Sequence, residues 1–329
     1  MPESKTVAFY QPFMNERGTC VAMFDYAYFN QELLGNKSVF IYDSCDIRNE
    51  KLGLERIKDH FETFDIKCAN YNLQMNHERV LKLNQAIVSG GVSHIYMCKS
   101  GYNDSIIPTM AKVLIHVVGM VDPSHAHGDV WAYVSEFSNQ ACADGSMPVV
   151  PYMVNLPDTD ANLRDSLGIS REAVVVGRTG GMDTFDIPWA GAVVNRVIRE
   201  RPDIVFLFMN TPKFMDHPRA IFLNRTVCPI KKVEFINTCD VMLHARWVGE
   251  TFGAAVAEFS SKNKPVMTAG DSPERNHINI LGDRGLYYNS TETLFSLLMQ
   301  FQPKTGDWNC YKEFTPEKVM NIFDKVFLG

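Results

Sequence analysis

The sequence has no long apolar run. Its longest, such as VVPYMV, fall far short of the roughly 20 residues a membrane span needs. Residues 1–15 show no basic segment followed by an apolar one, so no signal peptide is expected and the protein is read as cytoplasmic. Positive charge is not in excess: 32 Lys and Arg against 38 Asp and Glu give a net charge of −6, which argues against a nucleic-acid partner held by phosphate contacts. A local basic pocket for a small anion stays compatible with that balance. The eight cysteines, at 20, 45, 68, 98, 142, 228, 239 and 310, contain no CxxC pair, which argues against a disulfide framework or a zinc ribbon. No GxGxxG follows the first strand and no GK[ST] follows a glycine-rich turn, so a dinucleotide-dependent dehydrogenase and a P-loop enzyme are both disfavoured. Low-complexity tracts and internal repeats are missing too. Four Asn-x-Ser/Thr sequons, starting at Asn36, Asn103, Asn224 and Asn289, are read as chance without a secretion signal.

What is present is alternation. At 329 residues the chain suits two domains of roughly 150 residues each. Short apolar runs alternate with helix-like segments, which predicts α/β architecture with parallel sheets. The strand candidates of the first half are TVAFYQPF, SVFIYD, HIYMCKS, KVLIHVV and VWAYVS, with HERVLKLNQAIVS as a helix. The pattern pauses at VPYMVNLPDTDANLRDSLGIS, where Asp158 or Asp160 is a candidate helix cap, and restarts with AVVVGRTG, DIVFLFMN, KVEFI, VMLHAR, PVMTAG and GLYYN. We place domains at 1–156 and 157–312. Residues 313–329 then form a terminal helix with Thr315 as cap and Pro316 in its first turn, expected to pack back on the first domain. Two doubly wound domains are expected to leave a ligand cleft between the carboxyl ends of their strands.

The stretch GETFGAAVAEF, residues 249–259, carries the strongest chemical signal. A strand leads through a loop into a helix starting near Gly253, whose first-turn N–H groups and dipole suit a phosphate. Glycine at 253 lets backbone approach the ligand closely. Glu250 precedes the helix. Glu258 lies five residues inside it, about 7–8 Å along the axis. A nucleoside diphosphate held at the helix start could reach Glu258 with its ribose diol and Glu250 with its other end, because carboxylates accept from paired hydroxyls. An ordinary helix with acidic residues near its favourable end accounts for the same spacing.

Other candidates are less distinctive. In VVVGRTGG, Arg178 ends a strand where a guanidinium could fork onto a diphosphate, or could simply close a surface turn. Gly18 in NERGTCVAMFDYAYF stands between the first strand and first helix, as a phosphate or sugar approach or a tight turn. His116 ends a buried-looking strand, where a structural role competes with a place at the cleft edge. Asp158-Thr159-Asp160 spells a metal-binding Asp-x-Asp, but a capping role fits its position better. His125, His127 and Asp129 in SHAHGD read as a solvated loop sooner than a metal site, since no fourth ligand is near.

Taken together, the two Rossmann-like halves, GR in a glycine-rich turn, and the Glu–seven residues–Glu block GETFGAAVAEF…NKPV resemble the retaining GT-B glycosyltransferases of family 4. The similarity covers nearly the whole chain, through Gly18, His116, VWAYVS, NLRDSLGIS and CDVMLHAR. The wording of GRTGGMDTFDI and FINTCDVMLHARWVGETFG is similar to variants carried by large DNA viruses of algae and by some bacteria; a viral protein of this kind would act in a host cytoplasm. The resemblance implies a nucleotide-sugar donor on the second domain, with GDP-mannose favoured and UDP-glucose next. It implies a glycan or glycoprotein acceptor on the first domain, retention of configuration and no obligatory metal or other cofactor. It places Glu258 on the ribose, Glu250 by the donor sugar, Arg178 with the backbone of Phe252 and Gly253 on the diphosphate, and Gly18 approaching from the other domain. His116 would touch the transferring sugar, and Val227, Cys228 and Ile230 would line the base. One departure stands out: the family's lysine shortly after the GR is missing, so that either Lys213, Lys231, Arg246 or another basic residue replaces it, or diphosphate binding relies on the helix and Arg178. A nucleotide-sugar epimerase and a non-catalytic nucleotide-sugar-binding protein are the alternatives, and a homodimer is expected.

Overall fold

The computed structural model describes residues 4–15, 18–68 and 74–329. The chain divides into two compact units, Met1–Met153 joined by Phe314–Gly329, and Val154–Glu313.

The first unit is built on β1 (Thr6–Tyr10), β2 (Lys37–Tyr42), β3 (Glu62–Asp65), β4 (His94–Lys99), β5 (Lys112–Val117) and β6 (Val130–Tyr133), in the order β3-β2-β1-β4-β5-β6. All its strand pairs are parallel, as βαβ crossovers require. Its helices are α1 (Gly18–Glu32), α2 (Lys51–His60), α3 (Gln74–Ser89) and α4 (Glu136–Ala143). Strand β1 shows why both faces are covered: Val7 and Phe9 enter the layer that includes Met23 and Ile57, while Ala8 and Tyr10 enter the layer that includes Leu83 and Ile87.

The second unit repeats the plan. Its sheet comprises β7 (Val174–Arg178), β8 (Ile204–Met209), β9 (Ala220–Leu223), β10 (Val241–His244), β12 (Val266–Ala269) and β14 (Leu286–Tyr288), in the order β14-β12-β10-β7-β8-β9. A short parallel bridge joins β11 (Gly249–Glu250) to β13 (Glu274–Arg275). The helices are α5 (Ala190–Glu200), α6 (Pro229–Thr238), α7 (Ala254–Ser261), α8 (Asn276–Leu281) and α9 (Thr291–Gln300). The last helix, α10 (Pro316–Phe323), belongs to the first unit, where Val319, Met320 and Phe323 join its core. Thr315 accepts from Lys318 N to cap it.

Two parallel six-stranded sheets flanked by helices agree with the α/β architecture expected from the alternation. Three local expectations do not hold. KVEFI is helix, within α6: Pro229 stands at its first position, and Val233 and Ile236 bury one face at helical spacing, so the short alternation around Glu234 misled. Asp158 and Asp160 cap no helix, because turns without a helix follow them; Asp158 is solvent-exposed and pairs with Lys262 Nζ at 2.7 Å. Strands β3 and β9, both at sheet edges and each of four residues, were missed because their burial is incomplete and their apolar runs are short.

No helix among the described residues is long and apolar enough to cross a membrane.

Candidate functional site

In the second unit the chain builds β7, β8 and β9 outward on one side, then returns to place β10, β12 and β14 on the other. The order reverses between β7 and β10, and ligands of doubly wound sheets bind beyond the carboxyl ends of strands at such a reversal. Arg178, a sequence candidate, ends β7 and His244, which sequence reasoning did not single out, ends β10, so both stand at this point.

Glu250 is held there with little freedom. The flanking glycines 249 and 253 both take positive φ, +83° and +88°, a region that L side chains rarely enter. A Cβ on Gly249 would stand 2.0 Å from the Glu274 carbonyl oxygen, its partner across the β11–β13 bridge. A Cβ on Gly253 would meet the Cβ atoms of His277 and Glu250 at 3.1 and 3.4 Å. The Glu250 carboxylate accepts from Arg246 Nη1 at 2.7 Å on one oxygen and faces His244 Nε2 at 3.2 Å on the other. Glu274, across the bridge, has its pKa raised, chiefly by burial, with Arg246 opposing and Glu250 adding to the rise.

Gly253 is the N-cap of α7 and supplies no side-chain cap, so the helix's first N–H groups end without an internal side-chain acceptor. The Phe252 side chain is buried and its carbonyl accepts from Asn276 Nδ2 and Tyr311 Oη, which fixes the backbone entering the helix. Glu258, on the second turn, pairs with Lys232 Nζ of α6 at 2.6 Å. Lys232 N in turn bonds the Cys228 carbonyl, linking Glu258 to the segment Val227–Ile230, where Val227 and Ile230 leave their side chains exposed. The carboxylate and the apolar segment proposed for ribose and base are therefore neighbours through a lysine that sequence reasoning passed over; its position one turn into α6 was hidden by reading KVEFI as a strand.

Arg178 is held by the protein's own acceptors. Its guanidinium is buried and donates four hydrogen bonds, from Nη1 to Asn210 O and Thr211 Oγ1, and from Nη2 to Gly181 O and Thr184 Oγ1. It braces the loops after β7 and β8. Burial lowers its pKa to about 10, with Asp183, Asp186 and Glu250 opposing that fall. It stays a cation at neutral pH. Among the candidate replacements for the missing lysine, Lys213 is engaged with Asp216 and Lys231 is exposed, while Arg246 stands beside Glu250.

In the first unit, His116 is fully buried. Its Nε2 faces the Val150 carbonyl at 2.8 Å and its Nδ1 faces the Tyr96 hydroxyl, with Tyr26, Tyr152 and Phe327 around the ring. Burial holds its pKa down at about 3, against a weaker upward pull from the Val150 bond. Both ring nitrogens are occupied within the protein, and the ring is that of a neutral, buried histidine. Gly18 opens α1 on the surface and a Cβ there would meet nothing within 4 Å; the preceding Glu16 and Arg17 lie outside the described residues. Of the metal candidates, His125 is exposed, His127 Nδ1 faces the His125 carbonyl, and Asp129 accepts from Val113 N. Among the described residues no three His, Cys, Asp or Glu side chains converge as a metal set.

No family model and no curated protein matches the sequence. Solved structures match the fold over nearly its full length. A glycosyltransferase from Rickettsia africae ESF-5 aligns with a TM-score of 0.65 at 14% identity, covering 98% of this chain and 94% of its own. Anabaena Alr3699/HepE, in complex with UDP-glucose, aligns at 0.64 and 14%, covering 98% and 95%. The fold is that of GT-B glycosyltransferases. A UDP-N-acetylglucosamine 2-epimerase shares it, with a TM-score of 0.63 at 10% identity over 99% and 96% of the two chains. At these identities the likeness concerns the GT-B fold, and chemistry must be argued from the side chains.

Proposed function

We propose that the chain is a glycosyltransferase. It moves a hexose from a nucleoside-diphosphate sugar to a hydroxyl of a glycan or glycoprotein, with retention of configuration and no obligatory metal. The observation that carries this reading is the immobilised Glu250, set between two left-handed glycines at the uncapped start of α7. In the reaction the anomeric carbon loses its bond to the diphosphate and gains one to the acceptor oxygen, whose hydroxyl proton leaves with the departing diphosphate. Negative charge grows on the departing diphosphate, and preorganised dipoles aimed at that charge are the effective form of stabilisation. The α7 N-terminus supplies them, with Arg246 as the adjacent cation replacing both the missing lysine and the engaged Arg178. Glu250 receives hydroxyls of the donor sugar, Glu258 with Lys232 the ribose, and Val227–Ile230 the base. The Anabaena complex supports UDP-glucose as a donor to test beside the GDP-mannose favoured by the sequence resemblance.

Calorimetric titration with a panel of nucleotide sugars, followed by nucleoside-diphosphate release on adding acceptor glycans, tests the proposal. Acceptor-dependent release is expected. The shared epimerase fold supports a second reading, in which incubation with UDP-N-acetylglucosamine alone yields a new sugar isomer; that product without acceptor-dependent release would replace the transferase assignment.

A further inference from the structure

His244 ends β10 directly opposite Thr268 of β12 in the strand register. Its Nδ1 lies 2.8 Å from Thr268 Oγ1, and the same hydroxyl lies 3.0 Å from Nε2 of His277, the second residue of α8. His277 and Thr268 are fully buried and His244 nearly so. The far end of this chain is Glu250, reached by His244 Nε2.

Donors and acceptors leave one consistent assignment for neutral rings. The Glu250 carboxylate, paired with Arg246, can only accept, so His244 carries its proton on Nε2 and leaves Nδ1 bare. A bare Nδ1 takes the Thr268 hydroxyl proton, and Thr268 Oγ1 then accepts from His277 Nε2–H. That leaves His277 Nδ1 as a buried nitrogen with no partner among the described residues. An unpaired buried acceptor is tolerated better than an unpaired buried N–H, so the orphan atom is the one this assignment predicts. Burial, with the neighbouring His244, Arg275 and Arg246, lowers the His277 pKa to about 2 and keeps that ring neutral.

We infer that His244 is a positioning residue for Glu250, and that Thr268 and His277 hold the plane of its Nε2–H imidazole through Nδ1. This rests on the transferase reading for its consequence and on hydrogen-bond geometry for its content. The locked ring and Arg246 hold the two carboxylate oxygens from opposite ends, leaving their remaining lone pairs aimed at the donor sugar. With neither ring touching substrate, loss of the lock lowers turnover and leaves nucleotide affinity unchanged.

The test combines nitrogen-15 imidazole NMR with kinetics on the full chain. In the wild type, His244 and His277 are both expected in the Nε2–H form at neutral pH. Thr268→Val removes the hydroxyl at nearly constant shape. It is expected to move the His244 Nδ1 resonance to that of an imidazole nitrogen without a hydrogen bond and to lower kcat about tenfold, the equivalent of one hydrogen bond, with donor KM unchanged. Thr268→Ser should restore both readouts and so separates the hydroxyl's role from damage to the fold. Nucleotide binding by the wild type is checked independently, so a protein that binds no nucleotide sugar but shows the predicted tautomers fails the transferase reading alone. A His244 ring that is Nδ1–H in the wild type, or whose Nδ1 resonance ignores Thr268→Val, overturns the inference.

Discussion

Gly249→Ala is the sharpest perturbation available, since it changes one methyl group and none of the chemistry. The new Cβ would stand 2.0 Å from the Glu274 carbonyl oxygen, a backbone atom that cannot rotate away. Reaching ordinary contact requires a shift of about 1 Å or more, which opens the bridge that pairs Gly249 with Glu274 and strains the bond from Glu274 N to Val248 O. The positive φ costs about 1–2 kcal/mol for a residue with a Cβ, and the lost hydrogen bond adds about 1 kcal/mol. A destabilisation of about 2–3 kcal/mol lowers Tm by about 4–12 °C for a unit of this size. Glu250 is the next residue and moves with the bridge, and a 1 Å misplacement of a positioned group costs about 100-fold in rate. Gly168→Ala is the control: φ is +63°, but a Cβ there meets nothing within 4 Å. It should lose stability from strain alone and keep its turnover. The assay is acceptor-dependent nucleoside-diphosphate release beside a thermal melt. If Gly249→Ala melts early yet turns over within twofold of wild type, the placement of Glu250 is not what the site depends on.

Glu250→Gln should lower kcat by about 100-fold or more while calorimetry finds nucleotide affinity within a few-fold. Glu258→Ala should instead weaken nucleoside binding about tenfold, the equivalent of a hydrogen-bonded diol, and leave kcat at saturating donor nearly intact. Arg178→Met should show its effect in stability, by about 3 kcal/mol or more in a denaturant titration, because it strands buried acceptors in two loops. His116 is held at about 3 in the fold against about 6.5 unfolded. Its contribution is therefore fully present above pH 6.5 and is lost as pH falls towards 3. The denaturation midpoint of His116→Phe should accordingly fall less steeply between pH 7 and pH 4 than that of the wild type, and parallel slopes would contradict a neutral buried ring.

Backbone architecture was largely legible in the chain. Strand-length apolar runs such as DIVFLFMN are buried on both faces of a parallel sheet, and that burial demands continuous apolar sequence. KVEFI shows the limit, since five residues satisfy both periods and only packing of Val233 and Ile236 chose the helix. Within the candidate site, Glu250, Gly253 and Glu258 could be placed because a helix start and a glycine with positive φ are local properties. Arg178 and His116 could not be, because their engagement depends on distant partners, Thr211 at 33 residues and Val150 at 34 respectively.

The sequence alone therefore determined the alternation of most strands and helices, and that two carboxylates flank one helix start. Tertiary structure decided which polar side chains meet a ligand-facing surface and which satisfy one another. It turned Arg178 into a brace and His116 into a core residue, and it lined up His277, Thr268 and His244 behind Glu250. The physical reason is that backbone conformation follows from neighbouring residues. The partner of a buried donor follows instead from which distant strand ends the register sets side by side, as it does His244 and Thr268.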